Sequence, residues 1–335
     1  MSAHERVIVL VTEPEFHRAA EVFGSATGLR CVTVPSDEPA LARAIAQHRA
    51  RYIVVGSVRY VSELYTALPR GGVIARFGVG HDGIDKAQAS RAGVLCTNTP
   101  GVLDESVAEL TLLLMLAAAR HSYTLTTGMR QGTWALGPPG IELRDKTLAI
   151  IGSGRIGQAT ARIASRGFGM RVIGVRRSLP AGDPPEDFAV VTTDFSAAVR
   201  DADYVSLHLT AEPANRQFLD LDRLAMLPPR AWLINTARGA VVDEFALYEA
   251  LAGRRLAGAA LDVFDREPYV PADPTRDLRT LPNVILTPHV GSHTLEANGL
   301  MARRALQNIA RAEARDFAGM DLLNPDALGP AKTAG

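Results

Sequence analysis

Short runs of apolar, β-branched residues alternate along the chain with longer stretches whose apolar positions recur every three or four residues. Val7–Val11, Cys31–Val34, Tyr52–Val55, Val73–Phe77 and Val94–Cys96 read as strands, each bounded by Gly, Pro or polar turn residues. The stretches at 15–24, 38–49 and 84–91 read as helices. A longer helix is expected over about 103–120, with Asp104 or a neighbour as its cap. Gly128–Gly140, rich in Gly and Pro, follows it with Trp134 inside. A second alternating series opens at Thr147, with strands near 147–152, 171–175, 203–208, 231–236, 257–262 and 284–286. One Ala- and Arg-rich helix over about 293–318 closes the pattern, and the tail after Asn324 is expected to fray. Strand following helix in this way predicts parallel strands in buried sheets, hence an α/β protein.

Composition narrows the picture. The 335 residues suffice for two domains. A hydrophobic content of 47% with 21% charged residues is too apolar for a disordered chain. Lys plus Arg equals Asp plus Glu at 36 each, so no basic excess favours a nucleic acid or an anionic membrane. Cys31 and Cys96 are too few for a disulfide framework and lack metal-ligand spacing, which suits a reducing cytoplasm. The most apolar run, Leu110–Ala119, falls short of the ~20 residues that cross a bilayer. The N-terminal apolar run is too short and wrongly flanked for a signal peptide. A cytoplasmic protein with small-molecule ligands and no metal is the expectation.

The sharpest local signal is the segment from Thr147 to Gly157. An apolar strand runs into Gly152-Ser-Gly154-Arg155-Ile156-Gly157, and a helical pattern follows. In such a turn the first glycine permits a tight bend and the second lets backbone approach a pyrophosphate. The third lets the helix pack close to the strand. The helix N–H groups then face the phosphates. The next strand ends in Arg176-Arg177-Ser178, where an acidic residue would accept from the ribose 2′-OH of NAD. Arginine cannot accept, but it suits a 2′-phosphate, so NADP(H) is favoured. The alternative is that these arginines stack on adenine or face solvent while NAD(H) is used.

Three further strand ends carry polar residues: Asn235-Thr236-Ala237-Arg238-Gly239, Asp262 through Glu267-Pro268, and Thr287-Pro288-His289-Val290-Gly291. Carboxyl ends of parallel strands are where open α/β sheets bind ligands. With RFGVGHDGID, TNTPGVLDESVAEL, GSGRIGQATA, LINTARGAVVDE, ALDVFDREP and TPHVGSH in this order, the chain resembles the D-isomer-specific 2-hydroxyacid dehydrogenase family over nearly its whole length.

The resemblance implies two Rossmann- or flavodoxin-like lobes with mainly parallel sheets and an active-site cleft between them. Residues 1–100 with 291–320 would form the substrate lobe, and 101–290 the dinucleotide-binding lobe. It implies NAD(P)-dependent interconversion of a 2-oxo acid and a D-2-hydroxy acid, with glyoxylate or hydroxypyruvate as the favoured substrate type. D-3-phosphoglycerate dehydrogenase is the alternative within the family, and an NAD(H)-sensing corepressor-like binding protein the alternative of another class. His289 would exchange the proton, imidazole being the side chain that titrates near neutrality. Glu267 would hold the imidazole and favour its charged form. Arg238 would bind the substrate carboxylate and polarise the carbonyl. Asp262, Thr236, Ala237 and Gly291 would meet the nicotinamide, Arg155 and Ile156 the pyrophosphate, and His208 and Thr210 the adenosine half. Ser106 would be a further cofactor contact and Asn98 a hinge neighbour. Backbone of Val79, Gly80 and His81 would hold the substrate carboxylate. The stretch His121–Leu136 resembles an arm that builds a homodimer.

Overall fold

The computed structural model describes residues 6–179 and 185–329. It divides into two compact units, one of the residues up to Leu103 with those from Ser292 onward, the other of Asp104–Gly291.

The first unit is built on β1 (Val7–Thr12), β2 (Leu29–Val34), β3 (Tyr52–Val55), β4 (Val73–Arg76) and β5 (Leu95–Thr97). They lie in the order β2-β1-β3-β4-β5, every pair parallel. All four residues of β3 and of β4 are buried, as strands covered on both faces must be. Leu10, Leu41, Ile45, Ile53, Leu64 and Ile74 fill the core. Asp37 caps the Glu38–His48 helix by accepting from the Ala40 N–H at 3.0 Å. The helix expected over 15–24 is two pieces, Glu13–Arg18 and Ala20–Gly24, because Ala19 leaves helical geometry at φ −140°.

The Leu295–Glu313 helix also belongs to this unit and ends five residues before the expected 318. It packs on β4 and buries Met301, Ala302, Ala305, Leu306 and Ile309, one helical face. The tail does not fray directly after Asn324, since Pro325–Leu328 form a short helix. The Asn324 side chain is buried, accepts from Cys96 N–H at 2.7 Å and donates to Val94 O at 2.9 Å. Residues 330–335 of that expectation lie outside the described residues.

The second unit holds β6 (Thr147–Ile151), β7 (Arg171–Val175), β8 (Val190–Thr192), β9 (Tyr204–Leu207), β10 (Trp232–Asn235), β11 (Gly258–Leu261) and β12 (Val284–Leu286). The order is β12-β11-β10-β9-β6-β7-β8, all parallel. Strand order reverses between β6 and β9, which opens a crevice beyond their carboxyl ends. β8 escaped the sequence pattern because it is a three-residue edge strand without a buried position. One face is covered by the Asp104–Ala119 and Arg155–Phe168 helices, over Leu112, Met115, Leu148, Ile150 and Ala161. The Gly- and Pro-rich stretch is helical at its start, since a Ser122–Arg130 helix runs into it. A cavity of about 370 Å³ lies at the amino-terminal edge of β10–β12, lined by Ala118, His121, Trp232, Leu251 and Asn283.

Candidate active site

The glycine turn follows β6 directly. Gly152 has φ +102°, and a Cβ there would lie 2.6 Å from His208 O. A Cβ on Gly157 would lie 2.4 Å from Gly152 O and 3.0 Å from Ile150. Both positions therefore require glycine, one for turning beside β9 and one for seating the helix on β6. Around Gly154 the space is open to 4 Å. Ser153 Oγ is buried without a hydrogen-bond partner among the described residues. The helix begins at Arg155 with no side-chain cap, so its first N–H groups lack that acceptor. An open cradle, an orphaned hydroxyl and uncapped N–H donors fit a dinucleotide pyrophosphate. Arg155 itself reaches Asp104 at 3.0 Å, and Ile156 is the next helical residue.

On the adenosine side, Arg176 N–H donates to Thr192 O at 3.1 Å. Arg177 and Ser178 are exposed, and Arg177 lies 3.6 Å from Glu212. Thr210 donates to Glu212 at 3.1 Å. His208 is half-buried with Nε2 2.9 Å from Ser206 Oγ, and burial pushes its imidazole down to about 4.

The three polar strand ends converge within this unit. His289 Nδ1 lies 2.6 Å from Glu267 Oε2. Beside the ionised carboxylate, Nδ1 carries the hydrogen and Nε2 is the atom that can give or take a proton. Glu267 Oε1 accepts from Phe264 N–H at 3.1 Å. Burial works to raise the Glu267 carboxyl. The His289 hydrogen bond and charge, the Phe264 N–H and the Arg238 charge outweigh it and hold the group below the usual carboxylate range.

His289 sits in left-handed backbone, φ 53°, a conformation that needs support. Asp262 supplies it. This carboxylate is fully buried and accepts from Thr287 Oγ1 at 2.6 Å, Val290 N–H at 2.9 Å and Gly291 N–H at 2.9 Å. Its own carbonyl accepts from His289 N–H at 2.8 Å. Asp262 thus holds the histidine loop through both of its carboxylate oxygens. Arg238 follows β10 in extended backbone and donates from Nη1 to Ala237 O at 2.7 Å. Thr236 is buried, with its hydroxyl 2.9 Å from that of Thr111. Among the described residues no group of three or more His, Cys, Asp or Glu side chains could hold a metal ion.

In the first unit the Val79–His81 loop follows β4. Gly78 N–H donates to Thr99 Oγ1 at 3.1 Å, and Thr99 N–H returns a bond to Gly78 O at 3.1 Å. Asn98 donates to Val79 O at 2.8 Å and is itself held by Asn308, which donates to Asn98 O at 3.2 Å. His81 Nδ1 lies 3.0 Å from Lys86 Nζ. Ser106 lies in the first turns of the Asp104–Ala119 helix, in the second unit.

The model of the "D-isomer specific 2-hydroxyacid dehydrogenase, NAD binding domain" family matches residues 112–291. The chain belongs to this dehydrogenase family. It is 38% identical over 274 residues to a glyoxylate reductase of Thermococcus litoralis, covering 79% of this chain and 81% of the relative. It is 35% identical over 331 residues to a D-3-phosphoglycerate dehydrogenase of Methanocaldococcus jannaschii, which covers 97% of this chain and 62% of the relative. The dehydrogenase also resembles an NADPH-dependent glyoxylate/hydroxypyruvate reductase from Sinorhizobium meliloti, solved with NADP and malonate. That match has a TM-score of 0.78 and 30% identity, and covers 92% of this chain and 93% of the other. The dehydrogenase is an oxidoreductase that interconverts 2-oxo and D-2-hydroxy acids with a nicotinamide cofactor.

Sequence reasoning missed two residues that shape the dehydrogenase's site. Asn235 is buried at the end of β10; its amide donates to Arg238 O at 2.9 Å and accepts from Ala237 N–H at 3.0 Å. A Cβ on Gly239 would lie 1.8 Å from Phe264 C and 2.2 Å from Asp265 N. The Arg238 turn is thus pressed against the Phe264–Glu267 loop. A buried Asn and a Gly flanking a lone Arg was the available signal.

Proposed function

We propose that the dehydrogenase reduces a small 2-oxo acid of the glyoxylate or hydroxypyruvate type to the 2-hydroxy acid, with NADPH as preferred reductant. The observation that carries this reading is the His289–Glu267 pair at 2.6 Å, with Arg238 adding its charge to the same carboxylate. His289 Nε2 gives the proton to the carbonyl oxygen, and in the oxidation direction takes it back. Glu267 fixes the ring through its hydrogen bond with Nδ1. Arg238 binds the carboxylate by two parallel bonds and polarises the carbonyl. Val79, Gly80 and His81 are proposed as substrate-binding residues of the first unit. The bound nicotinamide supplies the hydride. Gly152, Gly154, Gly157, Ser153 and the N–H groups of Arg155 and Ile156 take the pyrophosphate. Arg176, Arg177 and Ser178 take the 2′-phosphate, His208 and Thr210 flank the adenosine half, and Asp262, Thr236, Ala237, Gly291 and Ser106 complete the cofactor site.

The same reading includes a homodimer built by the His121–Leu136 arm, where Tyr123, Met129, Trp134 and Leu136 are exposed. It also includes a reducing cytoplasm, which suits the free thiols Cys31 and Cys96. No helix of the described residues is long and apolar enough to cross a membrane.

The test is cofactor oxidation across a panel of glyoxylate, hydroxypyruvate, pyruvate and phosphohydroxypyruvate, with NADPH and NADH in parallel. The reading expects the highest kcat/KM for one of the first two with NADPH. Equal or better efficiency with NADH sinks the NADP part, and preference for phosphohydroxypyruvate sinks the substrate part.

A further inference from the structure

Two glutamates take successive N–H groups of the loop after β11, and the mechanism above uses only one of them. Glu267 Oε1 accepts from Phe264 N–H at 3.1 Å, and Glu244 Oε1 accepts from Asp265 N–H at 2.8 Å. Glu244 is half-buried and is the first residue of the Glu244–Ala252 helix. An acid there suits the helix dipole. The cap, however, is already made by Asp243, which accepts from Ala246 N–H at 3.0 Å. The Glu244 side chain instead leaves its helix to reach backbone 21 residues away in sequence. That position is a costly one. Burial, with the charges of Asp265 and Glu267, pushes its carboxyl above the usual range, although the Asp265 N–H works the other way. Helix stability alone would leave this acid in water.

The Phe264–Asp265 peptide unit is gripped a second time by the same segment. A Cβ on Gly239 would lie 1.8 Å from Phe264 C and 2.2 Å from Asp265 N. Gly239 and Glu244 thus hold one peptide unit at two points. The segment between them is fixed from behind. Leu219 N–H donates to Val241 O at 2.9 Å, Asp243 N–H to Leu219 O at 3.1 Å, and Gln217 N–H to Ala240 O at 2.8 Å. Arg238 immediately precedes this segment, and Glu267, with its bond to His289 at 2.6 Å, lies two residues beyond Asp265. Contact at Gly239 sets a distance but no direction. The directional hydrogen bond to Glu244 stops the loop from pivoting about that contact.

We propose that Glu244 is a positioning residue for the proton-transfer pair: by holding the Asp265 N–H it locks the Glu267 loop against the Arg238 turn and so sets the place of His289 relative to Arg238. The inference rests on the reading of His289 as proton donor and Arg238 as substrate anchor, and not on which 2-oxo acid is used. What the role requires is an acceptor at that reach, whatever its charge. Misplacing donor against anchor spoils the geometry of the chemical step, so the effect falls on kcat.

Two variants of the full chain separate reach from charge. Glu244→Asp keeps the charge and the acid at the helix start but draws the acceptor back by about one bond length, ~1.5 Å. It should lower kcat about tenfold, with KM held within about threefold. Glu244→Gln removes the charge, keeps an acceptor at full reach, and should stay within about twofold of the wild-type kcat. A role confined to the helix dipole predicts instead no loss in the first and a lower Tm in the second. Glu244→Ser, which also falls short of Asp265 but suits a helix start, should lose as much as Glu244→Asp, so the test does not hang on the folding of one variant. Nitrogen-15 spectra of His289, taken without substrate, give a readout apart from turnover. The hydrogen should sit on Nδ1 in the wild type and in Glu244→Gln, and should divide between Nδ1 and Nε2 in Glu244→Asp. An unchanged kcat in a folded Glu244→Asp enzyme overturns the proposal, as does a loss in Glu244→Gln that matches the one in Glu244→Asp, or a loss carried by KM. Absence of turnover with every 2-oxo acid is a different result: it removes the proposed function, while the spectra still decide whether Glu244 holds the pair in place.

Discussion

Glu267 shows how a single carboxylate can serve both stability and chemistry. Its group sits below the ordinary carboxylate range in the folded chain, so the folded state holds the proton less tightly than the unfolded one. The stabilisation is therefore present above about 4.5 and is lost as pH falls through the lowered value. His208 acts in the same direction over a higher window. Desolvated by its surroundings and pushed down to about 4 from 6.5, it binds a proton less readily when folded, so stability is full above 6.5 and declines toward 4. Its ceiling is roughly 3 kcal/mol. Thermal melting between pH 7 and 4.5 should show a falling Tm, and His208→Gln should flatten the upper part of that fall. Glu267→Gln should lower kcat roughly 10–100-fold, less than loss of the proton donor itself in His289→Ala, at ~10²–10⁴-fold. Steady-state kinetics on the best 2-oxo acid check both, and near-normal turnover of either variant refutes the assigned roles. His289, Glu267 and Arg238 were singled out through the family resemblance, on motifs that follow apolar strands. Asn235 stood in the same polar strand end but received no role, because what it does is hold the backbone of Ala237 and Arg238.

At the level of elements, burial decided what the sequence could reveal. β3 and β4 are apolar along their whole length because both faces are covered, and their positions were plain. β8 has no buried residue and gave no signal. The interruption at Ala19 was invisible, since alanine favours helix and nothing local requires the break. Turns after β6 and β10 show a finer dependence on close approach. The glycines at 152 and 157 were readable from their spacing, whereas Gly239 owes its identity to a loop 25 residues away in sequence. Gly239→Ala should force the Arg238 turn away from Phe264. Overpacking of this kind costs about 1–3 kcal/mol, so the variant should melt several degrees lower. It should also lose activity well beyond what the lower Tm explains. Calorimetry and kinetics on the same preparation check this; full activity at 25 °C would show that the turn tolerates displacement.

For the whole molecule, two of the three most exposed large apolar side chains among the described residues lie close together, the third being Leu295. Trp134 is 86% exposed and Leu136 89%, two positions apart in the proposed arm. Trp134→Ser with Leu136→Ser should shift the light-scattering mass from dimer to monomer; a wild-type monomer refutes the arm. The sequence marked this segment through its Gly, Pro and Trp content but could not distinguish a buried loop from a bare one, since that depends on what stands opposite. The interrupted first unit has a consequence for synthesis. Its sheet is encoded before Leu103, yet the helix on β4 and the Asn324 clasp on Cys96 and Val94 are encoded after Gly291. A ribosome working at about 5–20 residues per second completes the intervening unit first, which takes roughly ten to forty seconds. For that interval the nascent sheet has one flank bare, and the Asp104–Gly291 unit can finish folding while its older neighbour still waits. Chaperone dependence should therefore centre on the part of the chain made first.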